Sequence, residues 1–259
     1  MPEVKLVLSD MDDTLAPHMK NKVSDTVRQA VIDTEDSGVR VAVVTGRAYT
    51  HAKSALELLG VEGPCVFDGG ATIVDAVSGD VLHKKWIEVA KTQQIVAILQ
   101  KYCTEAYFDH TSGMRILAEV DIETIQDEAP SIFAIADTYS QLEKAAEALY
   151  ALDGIRFFTG TGTHPQTEAA WPSLHITRVD ADKYHGVEAL RSMIGISKDH
   201  TLAIGDGTND VPLFQNAHVK VAMGNAVDEL KQAADYIVGT LEQDGFAEAM
   251  YKYVLRHKP

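Results

Sequence analysis

Positive charge is scarce in this 259-residue chain: 23 lysines and arginines stand against 38 aspartates and glutamates, for a formal net charge of −15. With no basic surplus to neutralise phosphates, composition argues against nucleic acid or an anionic membrane as a partner. It does not argue against a small phosphorylated molecule, whose charge a local metal ion or a helix N-terminus can offset. Cysteine is nearly absent. Cys65 and Cys103 are too few for a disulfide framework, and their apolar neighbours read as two reduced core thiols. No apolar stretch approaches the ~18 residues of a membrane span. The opening MPEVKLVLSD lacks the basic, apolar and small-residue zones of a signal peptide. The expectation is a cytoplasmic protein, a monomer or homodimer. What is present is ordinary: 46% hydrophobic and 24% charged residues describe a globular chain. Its length suits one large domain or two smaller ones.

The first eighty residues alternate strand and helix. Residues 4–8 form an apolar run of buried-strand length. Val23, Val27, Ala30 and Val31 then recur at helical spacing, with Ser24 near the start and Gly38 at the stop. Residues 39–44 read as a second buried strand. Ala52, Ala55, Leu56 and Leu59 mark a second helix ended by Gly60, and residues 65–67 a third strand. Residues 71–74 and 81–83 suggest a hairpin around VSGD. Such alternation predicts parallel strands whose carboxyl ends share one edge.

The middle differs. A helix over 88–102 precedes strand-like runs at 105–109, 114–118 and 132–136. A helix over 141–152 is followed by strands near 155–158 and 174–177. Between the last two, TGTGTHPQTEAAWPS (159–173) is rich in turn formers and reads as the longest loop. Alternation resumes after Val179, with a helix over 183–194, a strand over 201–204, a helix over 209–216, a strand over 219–223 and a final helix bearing Phe246, Ala249, Met250, Tyr253 and Val254. The expected fold class is α/β, a Rossmann-like parallel-sheet core domain (1–82 and 180–259) interrupted by an inserted α+β domain (83–179).

Four constellations fall on the shared edge. In SDMDDTL (9–15), Asp10 and Asp12 alternate with Met11 and Asp13, so on extended backbone the first two can point the same way. Two convergent carboxylates at a strand end suit Mg²⁺, a hard cation that takes oxygen ligands. Thr45-Gly46-Arg47 closes the second strand with a hydroxyl, a glycine that admits a ligand to the backbone, and a helix start. Lys183 opens a helix, where the macrodipole disfavours a cation unless an anion faces it. Gly205-Asp206-Gly207-Thr208-Asn209-Asp210 follows a buried strand directly. Taken singly, each has a plainer reading: capping acids, a turn, a solvated lysine. Their convergence where open α/β sheets bind ligands favours a metal-plus-phosphate site.

DMDDT, TGR, the helix-borne Lys183 and GDGTND resemble, in order, the four motifs of the haloacid dehalogenase superfamily. The insertion between the second and third motifs, MGNA (223–226) and DGFAEAM (244–250) resemble its Cof-type sugar-phosphatase branch. The resemblance implies a phosphoric monoester hydrolase acting on small phosphorylated metabolites, sugar phosphates foremost. It implies Asp10 as nucleophile forming an aspartyl-phosphate, and Asp12 as general acid and then base. Mg²⁺ would be held by the Asp10 carboxylate, the Asp12 carbonyl and Asp206, with Asp210 ligating through water or orienting the others. Met11, Thr45, Gly46, Lys183 and Asn209 would bind the phosphoryl group. The inserted domain would be a cap that closes over the site and selects the substrate, with Arg115, Arg178, His110, His164, Glu168 and Trp171 as candidates for its inner face.

Two positions depart from the family pattern: Asp13 stands where Gly is common, and in FDGGA (67–71) Gly69 stands where many relatives have Asn. Three other readings compete. A receiver-like signalling module also gathers acids, a threonine and a lysine around Mg²⁺, but predicts half this length and no insertion. A non-catalytic phospho-ligand-binding protein predicts loss of Asp10 or Asp12, and both are present. A phosphomutase of the same fold is open on sequence alone.

Overall fold

The computed structural model describes residues 3–108, 115–163 and 169–255. Two compact units divide the chain, Met1–His83 with Asp182–Pro259, and Lys84–Ala181. Among the described residues no helix is long and apolar enough to cross a membrane.

The first stretch runs β1 (Leu6–Ser9), α1 (Asp25–Asp36), β2 (Arg40–Val43), α2 (Tyr49–Leu59), β3 (Pro64–Phe67), β4 (Thr72–Asp75) and β5 (Val81–Lys84). The second unit contributes α3 (Val89–Leu99), β6 (Glu105–Tyr107), β7 (Arg115–Ile116), β8 (Ile132–Ile135), α4 (Tyr139–Leu149), β9 (Ile155–Thr163) and β10 (Ala170–Arg178). The chain then returns with α5 (Lys183–Ile194), β11 (Thr201–Gly205), α6 (Val211–Gln215), β12 (Val219–Ala222), α7 (Asp228–Ala233), β13 (Tyr236–Ile237) and α8 (Gly245–Ala249). A wider, π-type turn over Met250–Val254 closes the described chain.

In the first unit five strands pair in the order β13-β12-β11-β1-β2, all parallel. β1 and β11 are buried along their whole length, as central strands covered on both faces must be. The register Ser9↔Ile204 and Ser9↔Val43 brings the carboxyl ends of β1, β11 and β2 level. Every acid or hydroxyl that follows these strands therefore emerges at one edge. α1 is fixed at its start by Ser24, whose hydroxyl accepts from the Val27 amide, and it buries Val27, Ala30, Val31 and Thr34.

The third strand departs from the parallel expectation. β3 touches β2 through one parallel bridge, Val44↔Val66, and otherwise belongs to a separate sheet, β3-β4-β5, paired antiparallel with β4. The cause is the tight turn at Asp68–Gly70, which sends the chain straight back instead of into a crossover helix.

The second unit has a sheet β7-β6-β8-β10-β9, antiparallel throughout. One face is packed by α3 and α4 through Ile95, Val96, Leu99, Leu142, Ala145 and Leu149. The segment 159–173, expected as a loop, is largely strand: β9 runs to Thr163 and β10 begins at Ala170. Its glycines alternate with Thr159, Thr161 and Thr163, and β-branched residues at every second position support a pleated strand. The expected helix over 209–216 is also two pieces. A 3₁₀ turn at Thr208–Asp210 leads into the short α6, where Pro212 sits in the first turn. His110, His164 and Glu168 lie outside the described residues. Arg115 is in β7, and Trp171 and Arg178 are in β10.

Candidate active site

Asp10 follows β1 directly. Its amide donates to the Ile204 carbonyl of β11 at 3.0 Å, so the backbone continues the ladder for one residue before turning. The side chain is 5% exposed. Asp206 follows β11 in the same way, and Thr45 comes two residues after β2, its amide bonded to the Val66 carbonyl at 2.9 Å.

Lys183 is the hub of the cluster. It opens α5, whose N-cap Asp182 accepts from the His185 amide. Its ammonium donates to Asp10 Oδ1 at 2.5 Å and to Asp210 Oδ1 at 2.6 Å, all three groups being buried. Burial works against the charge of Lys183, but the two carboxylates outweigh it and raise its pKa. A lysine at a helix start thus faces anions, as the macrodipole requires.

Asp210 uses both oxygens. Oδ1 takes Lys183, and Oδ2 takes the amides of Asp206 at 2.9 Å and Gly207 at 3.0 Å. Asp210 therefore shapes the turn that presents Asp206. Thr14 donates to Asp206 Oδ1 at 2.9 Å. Carboxylate oxygens of Asp10, Asp206 and Asp210 all lie within 4.8 Å of one another. Three acids meet one cation, and the imbalance registers on two of them. Burial first and the charge of Asp210 second push Asp206 up to about 7, and the same two causes raise Asp10 well above the usual carboxylate range. A crowded, largely buried set of hard oxygen donors short of positive charge fits a divalent cation such as Mg²⁺.

Asp12 is not part of that acidic group. Its carboxylate is gripped by the Arg47 guanidinium and by the Met19 amide, which together hold its pKa below the ordinary value although burial pulls the other way. Thr45 is fully buried, and its hydroxyl accepts from the Arg47 amide at 3.1 Å. Gly46 is exposed, and a Cβ there would have nothing within 4 Å, so the backbone is open to a ligand on that side. Met11 is buried, its carbonyl accepting from the Leu15 and Ala16 amides. Asn209 is exposed on the 3₁₀ turn, its Oδ1 folded back toward Gly207 rather than onto the cluster.

Asp13, where the family pattern has Gly, adopts φ +54°, the left-handed region that glycine occupies at no cost and aspartate tolerates. Its carbonyl accepts from Asn225 of the MGNA segment. Gly69, where many relatives have Asn, likewise has φ +67° and ψ +15°. Both substitutions are therefore exchanges among residues that suit one backbone shape.

Arg47, Thr14 and Asn225 escaped the sequence reading as individual contributors. The available signal was context: each lies inside or beside a motif, and an arginine folded against a buried strand end must find an anion.

A family model described as haloacid dehalogenase-like hydrolase matches residues 7–250. A phosphoglycolate phosphatase of Methanobrevibacter smithii is 26% identical, over 97% of this chain and 99% of its own. The 5-amino-6-(5-phospho-D-ribitylamino)uracil phosphatase of Bacillus subtilis is 26% identical over 98% and 97%. Among solved structures, a haloacid dehalogenase-like hydrolase from Bacteroides thetaiotaomicron superposes with a TM-score of 0.82 at 22% identity, covering 96% of this chain and 99% of that one. The chain belongs to the haloacid dehalogenase-like hydrolase family, among its Cof-type phosphatases.

Proposed function

We propose that this phosphatase is Mg²⁺-dependent and hydrolyses small phosphorylated metabolites, sugar phosphates foremost, through an aspartyl-phosphate on Asp10. The observation that carries the reading is the meeting of buried Asp10, Lys183 and Asp210 with half-buried Asp206, with more negative charge than its lysine offsets. Relatives named as phosphatases of phosphoglycolate, of a phosphoribitylamino-uracil and of pyridoxal phosphate support the substrate class.

Asp10 attacks phosphorus in line and forms the Asp10–phosphorus bond as the bond to the alcohol oxygen breaks. Asp12 gives that oxygen its proton, then takes one from the water whose oxygen attacks phosphorus, and inorganic phosphate leaves Asp10. Lys183 holds Asp10 and balances phosphoryl charge. Thr45, the open Gly46 backbone and Met11 complete the phosphoryl contacts, and Asn209 joins them once its side chain turns away from Gly207. Asp10, the Asp12 carbonyl and Asp206 would hold Mg²⁺, and Asp210 orients the Asp206 turn through two backbone amides. Bound Mg²⁺ supplies the positive charge that lets an anionic nucleophile meet an anionic phosphate. The unit Lys84–Ala181 serves as the cap that selects substrates.

Asp10→Asn removes the nucleophile while keeping a side chain of the same shape. It should abolish hydrolysis of p-nitrophenyl phosphate in Mg²⁺ with the circular dichroism spectrum unchanged. A folded Asp10→Asn enzyme with wild-type turnover would remove Asp10 from the mechanism.

A further inference from the structure

Arg47 is 5% exposed, and every nitrogen of its guanidinium is engaged. Nη1 donates to Asn21 Oδ1 at 2.9 Å and Nη2 to the Lys20 carbonyl at 3.2 Å. The remaining edge faces Asp12: Nη2 lies 2.6 Å from Oδ1, and Nε lies 3.0 Å from Oδ2 and 3.2 Å from Oδ1. The Met19 amide donates to the same Oδ1 at 2.6 Å, from a residue at φ +53°. That left-handed conformation is disfavoured for methionine, and here the Met19 amide points at Asp12.

The consequence is an asymmetric carboxylate. Oδ1 is crowded by the fork, the Met19 amide and the His18 ring 3.6 Å away, whereas among the described residues Oδ2 has Nε alone. A planar two-point fork fixes the plane of the carboxylate, which a lysine ammonium, a point charge on a flexible stem, does not. Rotation of Asp12 would break contacts on two segments: Arg47, and the 19–21 loop, directly at the Met19 amide and through Arg47 at Lys20 and Asn21.

We propose that Arg47 is a positioning residue for proton transfer, holding Asp12 so that Oδ2 is the oxygen that delivers and recovers the proton. The proposal rests on the phosphatase reading above. The Oδ2 proton passes to the alcohol oxygen as the phosphorus–oxygen bond breaks. A proton from water returns to Oδ2 as the water oxygen bonds to phosphorus and Asp10 is released. Arg47 touches neither substrate nor phosphorus in this scheme. It acts through Asp12 alone.

Leaving-group chemistry tests this. A sugar phosphate expels a strongly basic alkoxide that needs the proton, whereas p-nitrophenolate departs without one. kcat/KM reports the steps up to release of the alcohol. Arg47→Lys and Arg47→Ala should each lower kcat/KM for a sugar phosphate, by on the order of 10²-fold in the alanine variant. The lysine variant should be milder, p-nitrophenyl phosphate should fall far less in both, and KM should change little. Adding Arg47→Ala to Asp12→Asn should cost nothing more on the sugar phosphate. Arg47→Lys keeps the buried charge, so it reads the role even if the alanine variant does not fold. Equal falls on both substrates in Arg47→Lys, or losses that multiply in the double variant, overturn the proposal while leaving the phosphatase reading intact. A wild-type enzyme that cleaves p-nitrophenyl phosphate but no sugar phosphate overturns it too, since no leaving group then needs the proton. A wild-type enzyme inactive on both overturns the phosphatase reading, and the proposal with it.

Discussion

Gly186, in the first turn of α5, rests against Gly70: a Cβ on Gly186 would come within 2.8 Å of Gly70 Cα and within 2.8 Å of Val66 Cγ1. Gly70 in turn has φ +115°, and a Cβ there would lie 2.0 Å from the Asp182 carbonyl oxygen. The turn that carries Gly70 is bonded to the second motif, the Asp68 amide donating to the Arg47 carbonyl at 2.9 Å and the Gly69 amide to the Thr45 carbonyl at 3.1 Å. Two glycines thus fix the height of the helix that presents Lys183 relative to the Thr45–Arg47 corner.

Gly186→Ala follows from that contact. The added methyl meets backbone on one side and a packed valine on the other, so the start of α5 must shift. Overpacking of this kind costs about 1–3 kcal/mol. The shift also moves Lys183 from Asp10, so kcat should fall by more than the loss of folded protein explains. Thermal melts beside turnover of p-nitrophenyl phosphate check it. An alanine variant that melts lower yet keeps wild-type turnover per folded molecule would show that Lys183 does not depend on this seat.

The four motifs were legible because each is a short string whose backbone role and chemistry coincide. Asp10, Asp206 and Lys183 sit at strand ends or a helix start, and hydrophobic periodicity located those ends. The parallel register then left little freedom about which side chains meet. What the sequence could not carry was contact between strings. Nothing in TGR says that its arginine turns back on Asp12, since that depends on an earlier loop adopting a left-handed turn at Met19. The antiparallel β3–β4 pair was hidden for a similar reason. A short apolar run after a helix looks the same whether the chain next crosses over or doubles back at Asp68–Gly70. In TGTGT the turn formers masked a two-residue period that the long β9–β10 hairpin uses.

Asp68 gives a pH prediction. It is 1% exposed, its Oδ2 accepts from the Thr72 hydroxyl at 2.6 Å, and among the described residues its Oδ1 has no partner. Burial, opposed by the Thr72 bond, pushes its pKa from 3.8 up to about 7. Between those values the folded protein holds a proton that the unfolded chain has lost, so folding stability falls as pH rises through this window and levels off above it. Asp68→Asn keeps the shape and removes the titration. The difference in unfolding free energy between wild type and Asp68→Asn, measured in urea near pH 4 and again near pH 8, should change by up to about 4 kcal/mol, at about 1.4 kcal/mol per pKa unit. The change should favour the asparagine variant at the higher pH. Parallel pH profiles for the two proteins would count against an uncompensated buried acid at this position.

Asp206 supplies the last prediction, because its pKa is likewise raised to about 7 and it is one of the residues proposed to hold Mg²⁺. Metal binding requires the carboxylate, so Mg²⁺ competes with the proton there. Without Mg²⁺, the raised pKa makes the fold lose stability as pH climbs from the ordinary carboxyl range toward 7. With Mg²⁺, the ion pairs with the charge that burial and Asp210 penalise, and ligand binding to the folded state adds stability by mass action. The two melting curves should therefore separate with rising pH. The Mg²⁺-induced rise in Tm should be small near pH 5.5 and clearly larger near pH 8. Asp206→Asn should lose most of the rise at either pH while keeping the Thr14 contact as an amide oxygen acceptor. An equal rise at both pH values would remove Asp206 from the competition, and a full rise in Asp206→Asn would place the ion elsewhere.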